Sequence, residues 1–338
     1  MNIAIVLKNW LGDVVFTTPA IRVIRNHFPA ARIICIAPAR CAEVIRGNPY
    51  VDEVIIFDER DSHSGFISKI KFILQLRKLK LDQAYLFHRS FTRALLIWLS
   101  GARKRIGYAT KGRGFLLTDP ISEPAAKLHS VDFNLELVRR SGLNVTTDAV
   151  YEFQIQKESL QKAKELVSMA GLGSFRLVAI NPGANWPPKR WPLGQFKELA
   201  KELIKEYPVG VVITGSQNDQ AAGDEIVNFV KDHRVVSFCG RTSLSELAAL
   251  FSLCSLVISS DSGPLHIAGG AGANVLAIFG PTDPALTGPR GRGRNIVIHH
   301  VPDGETVPFY GKFFPKKGWM EHITVDEILS TIKREQLL

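Results

Sequence analysis

Ser255-Leu256-Val257-Ile258-Ser259-Ser260-Asp261-Ser262-Gly263-Pro264-Leu265-His266-Ile267-Ala268-Gly269-Gly270 reads as a buried strand that ends in small polar residues and turns directly into a helix. Gly-Pro opens that helix, and the backbone N–H groups of a helix start form an anion site suited to a diphosphate. Asp261 and His266 flank the site. A single histidine in such a place often serves only structure, but the run as a whole is hard to explain as packing.

The same strand-then-helix rhythm extends in both directions. Towards the middle of the chain, strands are expected at 176–181 (RLVAIN), 209–214 (VGVVIT), 234–238 (RVVSF), 255–259 and 274–279 (NVLAIF). Helical patterns fall at 158–170, 193–206, 217–231, 243–252 and 263–270, with a last one at 324–336. The first half repeats the plan without repeating the sequence. Its strands are expected at 2–7 (NIAIVL), 32–37 (RIICIA), 53–57 (EVIIF), 82–87 (DQAYLF) and 104–107 (KRIG), and its helices at 14–27, 39–47, 65–79, 90–100 and 129–141. Strands alternating with helices of this length imply βαβ units and mostly parallel sheets. The expected class is α/β, with two Rossmann-like domains at 1–156 and 157–338. The boundary falls near Gln156, and the terminal helix is free to pack back on the first domain. Two such halves facing each other leave a cleft at the carboxyl ends of both sheets, where ligands of these folds bind. Asp13 and Lys189 are expected to face one another across it.

Bulk properties narrow the partners. The 338 residues are 46% apolar and 22% charged, a globular composition. No apolar run approaches the roughly 18 to 20 residues that span a bilayer. The opening Met1–Leu7 run has no basic flank and stops at Lys8, so a cytoplasmic compartment is expected. Cys35, Cys41, Cys239 and Cys254 form no C-x-x-C pair and read as free thiols. The net charge of +10 favours polyanions such as nucleic acid, anionic lipid or a phosphorylated glycolipid. Seven basic residues and no acidic one lie between Arg89 and Arg113. A second cluster comprises Arg290, Arg292, Arg294, Lys312, Lys316 and Lys317. One such cluster is ordinarily a solvated face; two favour an anionic partner.

Three further loops carry candidate chemistry. Lys8-Asn9-Trp10-Leu11-Gly12-Asp13 follows the first strand but is not a G-x-G-x-x-G fingerprint, and Ile36-Ala37-Pro38 offers no carboxylate to a ribose. Asp13 stands there as a helix N-cap or as a base for an acceptor hydroxyl, and the residues alone leave both open. Asn181-Pro182-Gly183-Ala184-Asn185-Trp186-Pro187-Pro188-Lys189-Arg190-Trp191-Pro192 is a stiff loop able to hold Lys189 and Arg190 against a phosphate. Gly183 permits unusual backbone angles there. Phe279-Gly280-Pro281-Thr282-Asp283-Pro284 is a turn beside the Asp261 segment and a candidate nucleotide wall.

Together these four segments resemble glycosyltransferase family 9, the heptosyltransferases. The opening loop ending in G-D, the N-P-G-A…K-R-W-P segment, the D-S-G-x-x-H-x-A segment and the F/Y-G-P-T/S-x-P segment occur in order and at family spacing over almost the whole chain. The wording of the second segment is nearer the second-heptose branch than the first. The resemblance implies a GT-B fold, an inverting mechanism and ADP-heptose as a co-substrate, with no further cofactor. It makes Asp13 the general base and Lys189 a cation against the donor diphosphate. Donor binding is expected at Asn185, Arg190, Gln217, Asp261, Ser262, Gly263 and His266. Gln217 stands where some members place a glutamate. Acceptor binding is expected at Gly12, Arg89 and Arg93.

The implied acceptor is the anionic core of lipopolysaccharide, met at the inner face of the cytoplasmic membrane. The basic stretch 89–113, with the apolar run 91–99 inside it, is expected to make peripheral contact there. No D-x-D pair is present to hold a metal, so activity without a divalent cation is expected. Other readings are a GT-B transferase with a different nucleotide sugar or acceptor, such as O-antigen or protein, and a nucleic-acid-binding protein. The latter lacks a helix-turn-helix, RRM or zinc pattern. A dehydrogenase lacks its glycine fingerprint.

Overall fold

The computed structural model describes residues 1–59, 61–307 and 318–338. Lys312, Lys316 and Lys317 of the second basic cluster lie outside the described residues. The chain separates into two compact units, Met1–Gln154 and Ile155–Leu338, dividing beside the Gln156 boundary placed from sequence.

The first unit contains β1 (Asn2–Val6), β2 (Arg32–Ala37), β3 (Glu53–Ile56), β4 (Gln83–Leu86), β5 (Lys104–Tyr108) and β6 (Asp119–Ile121). They form one sheet in the order β3-β2-β1-β4-β5-β6, with every pairing parallel. Between them run α1 (Leu11–Val15), α2 (Thr18–His27), α3 (Ala42–Ile45), α4 (Phe66–Lys78) and α5 (Phe91–Leu99), with α6 (Ser130–Arg140) after the last strand. Ile3, Ala4, Ile5 and Val6 are all buried, as expected of a parallel strand with helices on both faces.

The second unit repeats the plan. Its strands are β7 (Arg176–Asn181), β8 (Val209–Ile213), β9 (Val235–Ser237), β10 (Cys254–Ser260), β11 (Val275–Phe279) and β12 (Asn295–His299), ordered β12-β11-β10-β7-β8-β9 and again all parallel. Its helices are α7 (Lys157–Met169), α8 (Leu193–Glu206), α9 (Gln220–Val230), α10 (Leu244–Leu253), α11 (Gly263–Gly270), α12 (Pro284–Thr287) and α13 (Val325–Arg334). In each sheet the chain reverses its direction of winding beside the first strand. Those reversals, β1 against β4 and β7 against β10, are the places where doubly wound sheets open a ligand crevice.

Departures from the sequence reading have local causes. The helix expected over 14–27 is two helices, because Pro19 has no N–H and sits in the first turn of a new one, α2. The helix expected over 39–47 shrinks to a 3-10 turn followed by α3. Strands β6 and β12 were not foreseen. Both lie at sheet edges; β6 has Pro120 at its centre, which an edge tolerates, and β12 leaves Val297 exposed. The terminal helix belongs to the second unit. Ile328, Leu329 and Ile332 of α13 enter the core of the second, with Phe196 and Leu203 of α8. Among the described residues, no helix is long and apolar enough to cross a membrane.

Candidate active site

Val6 of β1 pairs with Leu86 of β4, so the loops that leave these strands are neighbours at the reversal of the first sheet. Asp13 is the third residue of α1. The N-cap is Trp10 and uses no side-chain bond, so Asp13 does not fill the capping role. Its carboxylate is 3.4 Å from the Lys8 ammonium and remains partly open to solvent. Gly12, one residue earlier, accepts a helical bond from the Phe16 N–H at 2.9 Å.

The loop that carries Asp13 is clamped from below. Arg40 donates to the Asn9 carbonyl through Nε and Nη2 at 2.9 and 2.8 Å, and its guanidinium lies 4.9 Å from the Trp10 ring centre. Arg93 is buried and stacks 4.2 Å over Phe57, while its Nη2 reaches the Asn9 side-chain oxygen at 3.4 Å and its Nε lies 3.3 Å from Glu59. Arg93 therefore supports the loop from within instead of presenting its charge to an acceptor. Arg89 is half-exposed, paired with Glu123 at 2.8 Å and set 5.5 Å over the Phe133 ring.

The basic stretch 89–113 is thus not one solvated face. Arg93 and Arg113 are interior; Arg113 has no exposed surface, donates to the Tyr108 carbonyl at 2.9 Å and also reaches the His88 carbonyl. Four of the nine residues of α5, namely Arg93, Ala94, Leu96 and Ile97, are buried, whereas Phe91 and Trp98 are exposed. His88 was passed over by the sequence reading. Burial, reinforced by the charges of Arg93, Arg113, Lys8 and Lys111, pushes it down to about 3, so it is a neutral imidazole at pH 7. The Ser90 N–H donates to Nδ1 at 3.0 Å, which leaves the proton on Nε2.

In the second unit Asn181 of β7 pairs with Ser259 of β10, bringing the Lys189 and Asp261 loops together at that sheet's reversal. Lys189 closes a 3-10 turn, Pro187–Lys189, in which the prolines fix the backbone. It is buried, and its Nζ lies 2.6 Å from Asp261 Oδ2. The same oxygen accepts the Thr282 hydroxyl at 2.7 Å, and His266 Nε2 stands 3.7 Å from Oδ1. Burial alone would raise the Asp261 carboxyl; the His266 hydrogen bond and the Lys189 charge outweigh it and hold the group at about 2. Asp261 is therefore an anionic hub that orients Lys189, His266 and Thr282. Thr282 lies in the turn read as a candidate nucleotide wall, where residue order alone does not single out its hydroxyl.

Ser262 is the N-cap of α11 and makes no capping bond; its hydroxyl is 3.3 Å from that of Ser259. Gly263 begins the helix, and Pro264 supplies no N–H, so the donors of this helix start belong to Ser262, Gly263 and Leu265. Arg190 is exposed and turns back on its own loop, donating to the Ala184 carbonyl at 2.8 Å. Asn185 is exposed at the tip. Trp191 is buried, and its indole N–H donates to the Ile323 carbonyl at 2.9 Å. Gly183 is needed for space and not for unusual angles: its φ is not positive, and a Cβ there would come within 2.8 Å of the Asp219 carboxylate. Gln217 lies exposed after β8, its amide bonded to Gln220 and its oxygen against Gly240, which adopts φ 71°.

This arrangement offers a carboxylate at one sheet's reversal and, at the other's, a buried ammonium beside a helix start. The model of Glycosyltransferase family 9 (heptosyltransferase) matches residues 69–308. The lipopolysaccharide heptosyltransferase 2 of Escherichia coli is 26% identical over 92% of this chain and 93% of its own length; that of Salmonella typhimurium is 27% identical over the same shares. Among solved structures, E. coli ADP-heptose lps heptosyltransferase II is similar, with a TM-score of 0.79, 25% identity and coverage of 99% of this chain and 98% of its own. A family 9 glycosyl transferase from Veillonella parvula shares the fold at a TM-score of 0.86, with 23% identity over 99% of this chain and 96% of its own.

Proposed function

Because the chain belongs to glycosyltransferase family 9, the heptosyltransferases, we propose that it moves a heptose from ADP-heptose to the inner core of lipopolysaccharide, a reading supported by relatives named lipopolysaccharide heptosyltransferase 2 and ADP-heptose lps heptosyltransferase II. The observation that carries the reading is the Lys189–Asp261–Thr282 cluster beside the α11 start, on the family's own segments.

The reaction is a single displacement at the anomeric carbon. An acceptor hydroxyl loses its proton to Asp13, and its oxygen forms the new bond to the sugar. The bond from the sugar to the β-phosphate oxygen breaks, and ADP leaves with that electron pair. Lys189 and the helix-start N–H groups meet the charge growing on the diphosphate. Asp261, ionised, keeps the ammonium aimed. Gln217 and Asn185, both exposed, bond the nucleoside and sugar hydroxyls in this reading. Catalysis is then positioning and electrostatic stabilisation, with no cofactor beyond the ADP-sugar itself. Arg89 supplies an exposed charge for the anionic acceptor, which is borne at the inner face of the cytoplasmic membrane.

Purified protein incubated with ADP-heptose and truncated lipopolysaccharide cores tests this directly. Heptose transfer with inverted anomeric configuration is expected. Transfer from another nucleotide sugar but not from ADP-heptose would replace the donor assignment.

A further inference from the structure

Helix α4 has two apolar faces, and the fold covers one of them. Phe72 and Leu76 are buried in the core of the first unit. Phe66 and Ile67 are 78% and 70% exposed, and Leu74 and Ile70 are 50% and 40% exposed. At about 100° per residue, Phe66, Ile70, Leu74 and Ile67 share an arc of roughly 100° turned away from the core face. A contiguous apolar stripe held in water marks a contact surface.

Charge identifies the partner. No aspartate or glutamate occurs between Ser62 and Leu81, while Lys71, Arg77 and Lys78 are exposed around the stripe. At the carboxyl end of α4 an open depression of about 560 Å³ is lined by Arg77, Lys80, Trp98 and Arg103 among others. Trp98 is 46% exposed there. Arg77 is braced by a 2.9 Å bond from Nε to the Leu99 carbonyl, and Arg103 sits 3.5 Å from Asp82 with most of its side chain in solvent. Aliphatic and aromatic side chains on one face, an indole at the edge and cations around them match the layers of an anionic lipid surface. A second copy of this chain would set the same cations against each other.

We propose that α4 lies along an anionic phospholipid bilayer, with Phe66, Ile67, Ile70 and Leu74 below the headgroups and Arg77, Lys80 and Arg103 receiving a lipid phosphate beside Trp98. The inference draws its purpose from the membrane-borne acceptor proposed above, but its geometry is independent of the chemistry.

The test uses the full chain and sedimentation with phosphatidylcholine vesicles, with and without phosphatidylglycerol. Binding is expected only with phosphatidylglycerol, weakening as salt rises. The double variants Ile67→Ser/Ile70→Ser and Lys80→Glu/Arg103→Glu should each lose about tenfold or more of that binding. Both should keep wild-type turnover on a delipidated, soluble acceptor. Should either variant fail to fold, quenching of wild-type Trp98 by brominated phosphatidylglycerol, read against Trp98→Phe, gives the answer instead. Equal vesicle binding by the variants, binding indifferent to lipid charge, absence of Trp98 quenching, or a dimer abolished by the variants without vesicle binding would each overturn the proposal. Inactivity of the wild type on the soluble acceptor would sink the heptosyltransferase reading and leave the surface standing.

Discussion

The Lys189 ammonium sits 2.6 Å from the Asp261 carboxylate, and both side chains are almost wholly withdrawn from water. Each charge offsets the burial of the other, and Asp261 also accepts the Thr282 hydroxyl. Asp261→Ala should therefore destabilise the protein by about 3–5 kcal/mol, measured by urea unfolding, because it takes the carboxylate away from a buried ammonium and from the Thr282 hydroxyl. A loss below about 1 kcal/mol would mean that the charge finds solvent.

The same pair sets an acid limit. The Asp261 carboxyl is depressed from 3.8 to about 2 in the folded protein. A depressed carboxyl stabilises the fold above its unfolded value and loses that contribution as pH falls through the folded value. The contribution, about 2 kcal/mol at about 1.4 kcal/mol per pH unit, should be complete above pH 4 and vanish between about pH 4 and pH 2. Asp261→Asn should flatten the stability profile in that window; an unchanged slope would assign the acid sensitivity elsewhere.

If Asp13 accepts the acceptor's proton, Asp13→Asn should lower kcat by about 10²–10⁴-fold and leave the Kd for ADP unchanged. A parallel loss of ADP affinity would show that the change had disturbed the fold and not the chemistry.

Arg89 and Arg93 should part company. Arg89→Ala should fold normally and raise KM for the acceptor. Arg93→Ala should cost about 2–4 kcal/mol of stability, since it strips the Phe57 carbonyl, Glu59 and the Asn9 side chain of their buried partner. Equal KM effects with equal stability would return Arg93 to the acceptor surface.

Transfer should persist in excess EDTA, since the proposed reaction assigns the diphosphate charge to Lys189 and the α11 start. Complete loss restored by magnesium would require a metal in the mechanism.

Much of this was readable from residue order. Runs such as Arg176-Leu177-Val178-Ala179-Ile180-Asn181 announce buried parallel strands, and small polar residues before Gly263-Pro264 announce a strand-to-helix turn. Two of the four edge strands escaped: β6 is three residues with a central proline, and β12 is only half-covered, with Asn295 and His299 at its ends. Burial of charge escaped for a different reason. Arg93 and Arg113 look like Arg89 in sequence; only folding shows that carbonyls such as those of Phe57 and Tyr108 are turned inward to receive them. Asp13 looked like a cap because it precedes a helical pattern, yet the helix begins earlier, at Leu11.

Trp191 follows Lys189 and Arg190 almost immediately, and its indole N–H is fastened to the carbonyl of Ile323, at the threshold of α13. The Lys189 loop thus takes one of its fixed points from a segment 132 residues further along the chain. A stop codon just before Ile323 would spare every candidate donor and acceptor residue and still remove the carbonyl that holds Trp191, two residues from Lys189. Premature termination there should read out as weakened ADP-heptose binding, a chemical defect produced by a purely mechanical loss.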